Sequence, residues 1–428
     1  MKLEIEKCIY GGAGLARAEG KTIFVPFTLP GEAVEVHITE DKRSFANAEL
    51  DAVLEASSQR TEPSCRYFGE CGGCQYQHAT YAEQLTLKRS ILQETLERAR
   101  VAPIPEIVPV HAEPLAYRNR VRLHLQRQPF ALCYKRRGSH ANLPVSQCPI
   151  AAPVVEQAIA AATRVGPAFD LAGDFEEIEF FTNESQSELL ISLWARRRAN
   201  GYPHKLASFC EILLREITAL TGAAVFLVEK AALVDKKIAE WGAQALTYRA
   251  AGYPYRVSIG AFFQVNRFLV DRLVELVTAH LSGESAWDLY AGAGLFARAL
   301  SERFEKIVAV EAAPYSSRDL PENASGSAYE AVQSGTLDFL RQQTRRQGAP
   351  TPDLIVVDPP RSGLGPDVTS LLTKVRPQTI VYVSCDPATL SRDLRALVES
   401  GYRLKTMHMV DLFPQTFHLE SVTVLSLG

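Results

Sequence analysis

The alternation of apolar and polar positions divides the chain into three stretches. From residue 1 to about 57, short runs such as TIFVPF and AVEVHIT lie between Gly11, Gly12, Gly14, Gly20 and Gly31. A period of two between glycine turns predicts five or so short strands, which close best into a small OB-like β-barrel. Over 81–100, YAEQLTLKRSILQETLERAR has the spacing of an amphipathic helix. Strands are expected near 118–125 and 130–134. From about 153 to 250, helical stretches (VVEQAIAAATRV, LASFCEILLREITAL) alternate with strand stretches (EIEFF, ELLISLWA, AVFLVE), an α+β pattern. Beyond 250 a long helix is expected over AFFQVNRFLVDRLVELVTAHL, starting at Gln264 or Asn266. Strand, loop, helix and strand follow in AWDLYAGAGLFARALSERFEKIVAVE. The β-branched runs at 354–357 and 379–383 read as buried parallel strands, and 421–427 as a last strand. The expected division is multidomain: a barrel over 1–57, an α+β domain over 58–250 and a Rossmann-like α/β domain over 251–428.

Chemistry collects where the α/β strands end. One delivers Asp358-Pro359-Pro360-Arg361 and the other Ser384-Cys385-Asp386-Pro387. Ligands of open α/β sheets sit past the carboxyl ends of strands, so an acid, an arginine and a thiol should share one crevice. Asp386 suits a helix N-cap and Pro387 a first helical residue, with ATLSRDLRALV as the helix. Cys385 would then stand at a helix N-terminus, which favours thiolate and makes a nucleophile. A lone cysteine is more often a small buried hydrophobe; its place between strand and cap reverses that preference. The motif Asp288-Leu-Tyr-Ala-Gly-Ala-Gly294 lets backbone approach a ligand, and Glu311 follows Gly292 by 19 residues, where an acid can hold ribose hydroxyls. The same spacing fits a nicotinamide dehydrogenase. A weaker nucleotide-loop signal lies at Gly335 and Thr336. Gln264 beside Phe262 and Phe263 suits a planar ligand. Glu420, ahead of the last strand and two residues after His418, is either a solvated strand end or a general base.

Three cysteines, Cys65, Cys71 and Cys74, lie close together, with Cys148 more distant. Four thiolates suit zinc or an iron–sulfur cluster, and the spacing does not choose between them. Cys8, Cys133 and Cys210 have no such company and read as core.

Composition narrows the setting. A net charge of −3 excludes a uniformly cationic surface, yet residues 117–140 hold seven basic residues, from Arg118 to Arg137, and no acid. That run offers phosphate contacts, against the alternative of a solvated strand face. No run of about 18 apolar residues occurs and the start carries no signal-peptide core, so a cytoplasmic protein is expected.

Taken together, FFQVN (262–266), DLYAGAG (288–294), VVDPPRSGL (356–364), YVSCDPATLSRDL (382–394) and DLFPQTFHLESV (411–422) resemble the RNA 5-methyluridine methyltransferases. CRYFGECGGCQYQHATY and YRNRVRLHLQ with SQCPI are similar to its iron–sulfur branch, and the first 57 residues to its RNA-binding TRAM domain. The resemblance implies S-adenosylmethionine as cofactor, Cys385 as nucleophile and Glu420 as base. It implies cofactor contacts from Gln264, Tyr290, Gly292, Glu311, Thr336 and Asp358. It also implies a four-iron four-sulfur cluster on Cys65, Cys71, Cys74 and Cys148. The implied substrate is 23S ribosomal RNA, with transfer RNA as the alternative, modified by a monomer. Asp386 stands where the family usually has asparagine, and 312–327, AAPYSSRDLPENASGS, shows no sign of the helix usual there. A dehydrogenase would leave DPPR, SCDP and the cysteines idle. A non-catalytic RNA-binding iron–sulfur protein would leave Cys385 without a role.

Overall fold

The computed structural model describes residues 1–228, 235–324, 329–346 and 351–428. Its first 55 residues form a six-stranded sheet in which Lys2–Glu4 is one edge and Lys7–Cys8 the other. Only Ile5 and Glu6 separate these edges along the chain, so the sheet must curl until they meet. The result is a barrel around Leu3, Ile5, Val25 and Val34. It has six strands rather than about five because the two-residue Lys7–Cys8 strand is too short to leave an alternation pattern. Glu32, fully buried, accepts from the Leu29 N–H at 2.8 Å and from Arg60 Nε at 2.6 Å, which ties the barrel to the segment after it.

A seven-stranded sheet follows, built from Asn142–Pro144, Ala131–Lys135, Arg120–Gln126, Phe175–Thr182, Leu189–Ala195, Leu220–Leu227 and Lys236–Gly242 in that order. The helices Pro153–Val165 and Tyr202–Leu214 pack their apolar faces into its core. The end of the expected strand AVFLVE, Glu229, lies outside the described residues.

The third sheet has eight strands: Tyr329–Gln333, Phe304–Glu311, Gly283–Leu289, Leu354–Val357, Thr379–Ser384, Glu420–Leu427, Tyr402–Val410 and Ile107–Val110. The first five run parallel, and Glu420–Leu427 returns antiparallel beside Thr379–Ser384. Winding reverses beside Gly283–Leu289, the switch point at which such sheets hold ligands. The eighth strand comes from early in the chain, inside the stretch assigned from sequence to the α+β domain. Ile107–Val110 pairs with Tyr402–Val410, and the helix Tyr81–Arg98 places Leu92 and Leu96 in the same core. Burial of that helix face carries residues 81–110 onto the C-terminal body.

Two local expectations are corrected. The helix expected from Gln264 or Asn266 begins only at Val270 and ends at Thr278. The FFQVN backbone is engaged instead by residues 117–119: the Asn119 N–H donates to Val265 O at 2.9 Å, and the Arg267 N–H donates to Tyr117 O at 3.0 Å. The segment after Glu311, expected without a helix, forms one over Pro314–Asn323. Pro314 occupies the first turn, where a missing N–H is harmless. Pro321 is outweighed by tertiary anchors. Asp319 Oδ2 accepts from the Ser258 N–H at 2.7 Å, and Asn323 Nδ2 donates to Ala293 O at 2.7 Å. Residues 325–327 of that segment lie outside the described residues. Among the described residues no helix is long and apolar enough to cross a membrane.

Candidate active site

The strand register builds the site. Ser384 pairs with Ser421 across two antiparallel strands, so the next residues, Cys385 and Glu420, flank each other at the strand ends. On the other side of Thr379–Ser384, the parallel strand Leu354–Val357 ends and delivers Asp358. All three line one cavity of about 630 Å³, which lies past the strand ends as the sequence required. Its size is that of a small-molecule pocket. The Cys385 helix runs over Pro387–Glu399, capped by Asp386, whose Oδ1 accepts from the Ala388 N–H at 3.1 Å and the Thr389 N–H at 2.9 Å.

Across the cavity the glycine loop turns on positive φ at Gly292 and Gly294. A Cβ on Gly292 would meet nothing within 4 Å, so its backbone is open to a ligand. Glu311 is fixed facing it: Oε2 accepts from the Gly292 N–H at 2.9 Å and Oε1 from the Ala313 N–H at 2.6 Å. Each oxygen keeps a lone pair for a hydroxyl. Gln264, 8% exposed, brings Nε2 to 3.4 Å from Asp358 Oδ2. Asn119 holds it there, donating from Nδ2 to Gln264 O at 3.1 Å. Tyr290 lines the cavity; Thr336, at the start of the helix Thr336–Arg345, does not, and instead hydrogen-bonds the Tyr290 side chain. Phe262 and Phe263 both line the cavity, Phe263 buried against Tyr248 and Phe262 60% exposed.

The electrostatics overturn one expectation. The helix N-terminus does not make Cys385 a thiolate in the ligand-free protein. Burial, then Glu420 and Asp358, push its thiol up to about 12, against which Arg361 pulls only partly. Burial also raises Asp358 to about 7, and raises Glu420 well above the usual carboxylate range, with Asp358 adding to that. Two carboxyls and a thiol in one pocket cannot all ionise without a cation. Alkylation of Cys385 by iodoacetamide should therefore be slow at neutral pH and rise about tenfold per pH unit past pH 9, because only the thiolate reacts. A rate that levels off near pH 7 contradicts this. Asp288, fully buried beneath the glycine loop, is raised to about 8 by burial. Its Oδ2 accepts from the Ala297 N–H at 2.9 Å.

At the cavity mouth Arg361 Nη2 lies 3.0 Å from Nδ1 and 3.1 Å from Nε2 of His418. Burial and then Arg361 lower His418 to about 4, so it is neutral. Glu420 itself is 5% exposed, which removes the solvated strand-end reading.

Cys65, Cys71, Cys74 and Cys148 line a second cavity, of about 330 Å³. Among the described residues no three His, Cys, Asp or Glu side chains are drawn together as ligands of a metal ion. Donors nevertheless point at the sulfurs: Tyr134 Oη lies 3.5 Å from Cys148 Sγ and the Gly73 N–H nitrogen 3.4 Å from Cys71 Sγ. Cys8, Cys133 and Cys210 are buried elsewhere.

The basic run at 117–140 is corrected by its surroundings. Arg122 pairs with Glu177 at 3.3 Å, Arg127 with Asp170 at 3.1 Å and Arg137 with Glu49 at 2.7 Å. Arg120 is inside, with Nη1 on Ala261 O at 2.7 Å. The acids arrive from other segments, Glu177 and Glu179 from the strand directly paired with Arg120–Gln126. Five of the seven basic residues meet acids in this way, so most of the run is neutralised, while Arg118 and Lys135 bond to Arg120 O and Asn142 Oδ1.

Comparison with known proteins agrees with this geometry. Residues 80–427 match the tRNA (uracil-5-)-methyltransferase family, and residues 2–50 match the TRAM domain. The chain belongs to the tRNA (uracil-5-)-methyltransferase family. An uncharacterized RNA methyltransferase of Aquifex aeolicus is 33% identical, over 99% of this chain and 98% of its own. The 23S rRNA (uracil(1939)-C(5))-methyltransferase RlmD of Pectobacterium carotovorum is 32% identical, over 96% and 91%. The fold is similar to the crystal structure of Pyrococcus abyssi tRNA (uracil-54, C5)-methyltransferase in complex with S-adenosyl-L-homocysteine. The TM-score is 0.76 at 22% identity, covering 99% of this chain and 100% of that one. The RNA uracil-C5 methyltransferase family is thus the one the five motifs resembled. Membership removes the dehydrogenase reading of the glycine loop.

Asn119 is a site-shaping residue that the sequence reading missed. It lies within YRNRVRLHLQ, but no local pattern shows that its amide reaches residue 264.

Proposed function

We propose that this member of the family methylates carbon 5 of a uridine in 23S ribosomal RNA, with Cys385 as nucleophile and Glu420 as base. The observation that carries the reading is the register that sets Cys385 and Glu420 side by side in the cavity whose far wall holds Gly292 and Glu311. The ribosomal substrate is supported by relatives named for that activity, at 31–32% identity over at least 90% of their length. Transfer RNA is the second reading. A monomer working in the cytoplasm is part of the same reading. The division into barrel (1–57), α+β (58–250) and methyltransferase (251–428) domains is kept for the functional parts, although residues 81–110 pack on the third.

The cavity fits S-adenosylmethionine: an open backbone at Gly292, the Glu311 carboxylate for ribose hydroxyls, and Gln264, Tyr290 and Asp358 around the rest, with Thr336 supporting Tyr290. When bound, this cofactor supplies an electrophilic methyl group and a positive charge among three acids whose ionisation burial opposes, and so favours the Cys385 thiolate and the Glu420 carboxylate. The uridine must leave its stack to enter. Cys385 releases its proton to water and its sulfur bonds carbon 6, moving the ring electrons onto carbon 5 as an enolate. Carbon 5, now nucleophilic, takes the methyl group. The Glu420 carboxylate removes the carbon 5 proton, the double bond re-forms and the Cys385 thiolate is expelled.

We also infer that Cys65, Cys71, Cys74 and Cys148 hold a four-iron four-sulfur cluster. The reading is supported by four cysteines lining one cavity, with Tyr134 Oη and the Gly73 N–H beside two of the sulfurs. Burial raises Cys74 to about 12 and also raises Cys71 and Cys148, so loading would displace protons.

The test is transfer of labelled methyl from S-adenosylmethionine to total RNA that lacks the modification, fractionated afterwards. Label in 5-methyluridine of 23S rRNA is the expected result. Label in transfer RNA keeps the chemistry and replaces the substrate. RNA bound without label points to the non-catalytic RNA-binding iron–sulfur protein instead.

A further inference from the structure

The loop over 411–419 carries His418 and delivers Glu420, and side chains far away in sequence hold it. Lys88 Nζ donates to Asp411 Oδ1 at 2.6 Å and to Phe413 O at 3.0 Å, the ion pair being almost wholly buried. Tyr117 Oη donates to Pro414 O at 3.1 Å. The densest hold is on Gln415. The N–H groups of Gln75 and Tyr76 both donate to Gln415 O at 2.9 Å. Gln84 holds Gln415 twice, donating from Nε2 to its side-chain Oε1 at 3.0 Å and accepting its backbone N–H on Oε1 at 2.9 Å. Gln75 Oε1 accepts from the Phe417 N–H at 3.3 Å, while its Nε2 donates to Gly72 O at 3.0 Å. Gln415 has φ of +70°, a conformation that a glutamine keeps only where its surroundings over-determine it.

Gln75 directly follows Cys74. The loop it grips also divides the two cavities: Thr416 and His418 line the cysteine cavity, and His418 lines the catalytic one as well. We propose that Gln75, Gln84 and Gln415 are positioning residues for methyl transfer, splicing the cysteine loop onto the loop that sets His418 and Glu420. Ordering of residues 71–76 around whatever the four cysteines hold is thereby passed to the base. The inference rests on the reading of Glu420 given above. It assigns the cysteine site a geometric role in catalysis, with no electron transfer.

Hydrogen exchange of residues 413–418 in the full chain tests this directly, because it reads the loop whether or not turnover occurs. Gln75→Ala and Gln84→Ala should each speed exchange there. They should also lower kcat by roughly 10- to 100-fold, the scale of a small misplacement of a reacting group. Affinities for RNA and for S-adenosylhomocysteine should stay within about twofold, since neither glutamine lines the catalytic cavity. Gln75→Glu keeps the acceptor for Phe417 and should recover most of the rate. Iron removal by a chelator should loosen the same peptide in the unmodified chain. If the protein holds no iron, the cluster reading fails; if iron is removed and the loop does not change while Gln75→Ala still loosens it and lowers kcat, the passage of order from the cysteine site fails and the positioning role of the glutamines stands. Normal exchange in both alanine variants, or fast exchange with undiminished kcat, overturns it.

Discussion

The Cys385→Ala protein is expected to transfer no measurable methyl group to RNA, a loss of roughly 10⁴-fold or more, as when an enzyme is stripped of its covalent nucleophile. The fold should survive the change. The helix cap is made by Asp386, not by the thiol, and Cys385 is only partly buried at the cavity wall. The melting temperature should therefore stay close to that of the unmodified protein, and RNA should still bind. Single-turnover assays with labelled cofactor give the comparison. An alanine variant that methylates at the normal rate removes covalent catalysis from consideration.

Glu420→Gln should behave differently, and the difference separates the two roles. Glutamine keeps the shape of the side chain but cannot take the carbon 5 proton. Addition and methylation should proceed and the exit step should stall, so that a covalent protein–RNA species builds up in denaturing gels. Entry need not slow. Burial is the main cause that raises the Cys385 thiol, and glutamine leaves that burial in place while adding no charge beside the sulfur. Adduct formation in the variant should therefore keep pace at neutral pH while turnover drops. Multiple turnover without a trapped species would assign the base elsewhere.

What was legible in the sequence was local. A β-branched run ending in Ser-Cys-Asp-Pro announces strand, thiol position, cap and first helical turn within a few residues, and strand, cap and helix form as expected. The glycine turn at Gly292 and the acid at Glu311 that faces it are read in the same way, because a strand–helix turn has a fixed spacing. What was not legible depends on partners far along the chain. The basic run at 117–140 looked more cationic than it is because Glu49, Asp170 and Glu177 lie outside it. Pro321 argued against a helix that Asp319 and Asn323 secure through Ser258, Arg256 and Ala293. Gln84 and Gln415 are 331 positions apart, and neither carries a mark of the other. The thiol's ionisation also depends on where Glu420 and Asp358 end up, so a helix N-terminus alone misjudged it.

The most direct measurement uses RNA in which the target uridine carries fluorine at carbon 5. Fluorine cannot be removed as a proton, so a productive attack stops at the methylated adduct. With S-adenosylmethionine present, digestion and mass spectrometry should find one cross-linked peptide, containing Cys385 and bearing a nucleotide heavier by a methyl group. A cross-link at Cys65, Cys71, Cys74 or Cys148, or no cross-link from a protein that methylates ordinary RNA, would contradict the assignment of Cys385 as nucleophile.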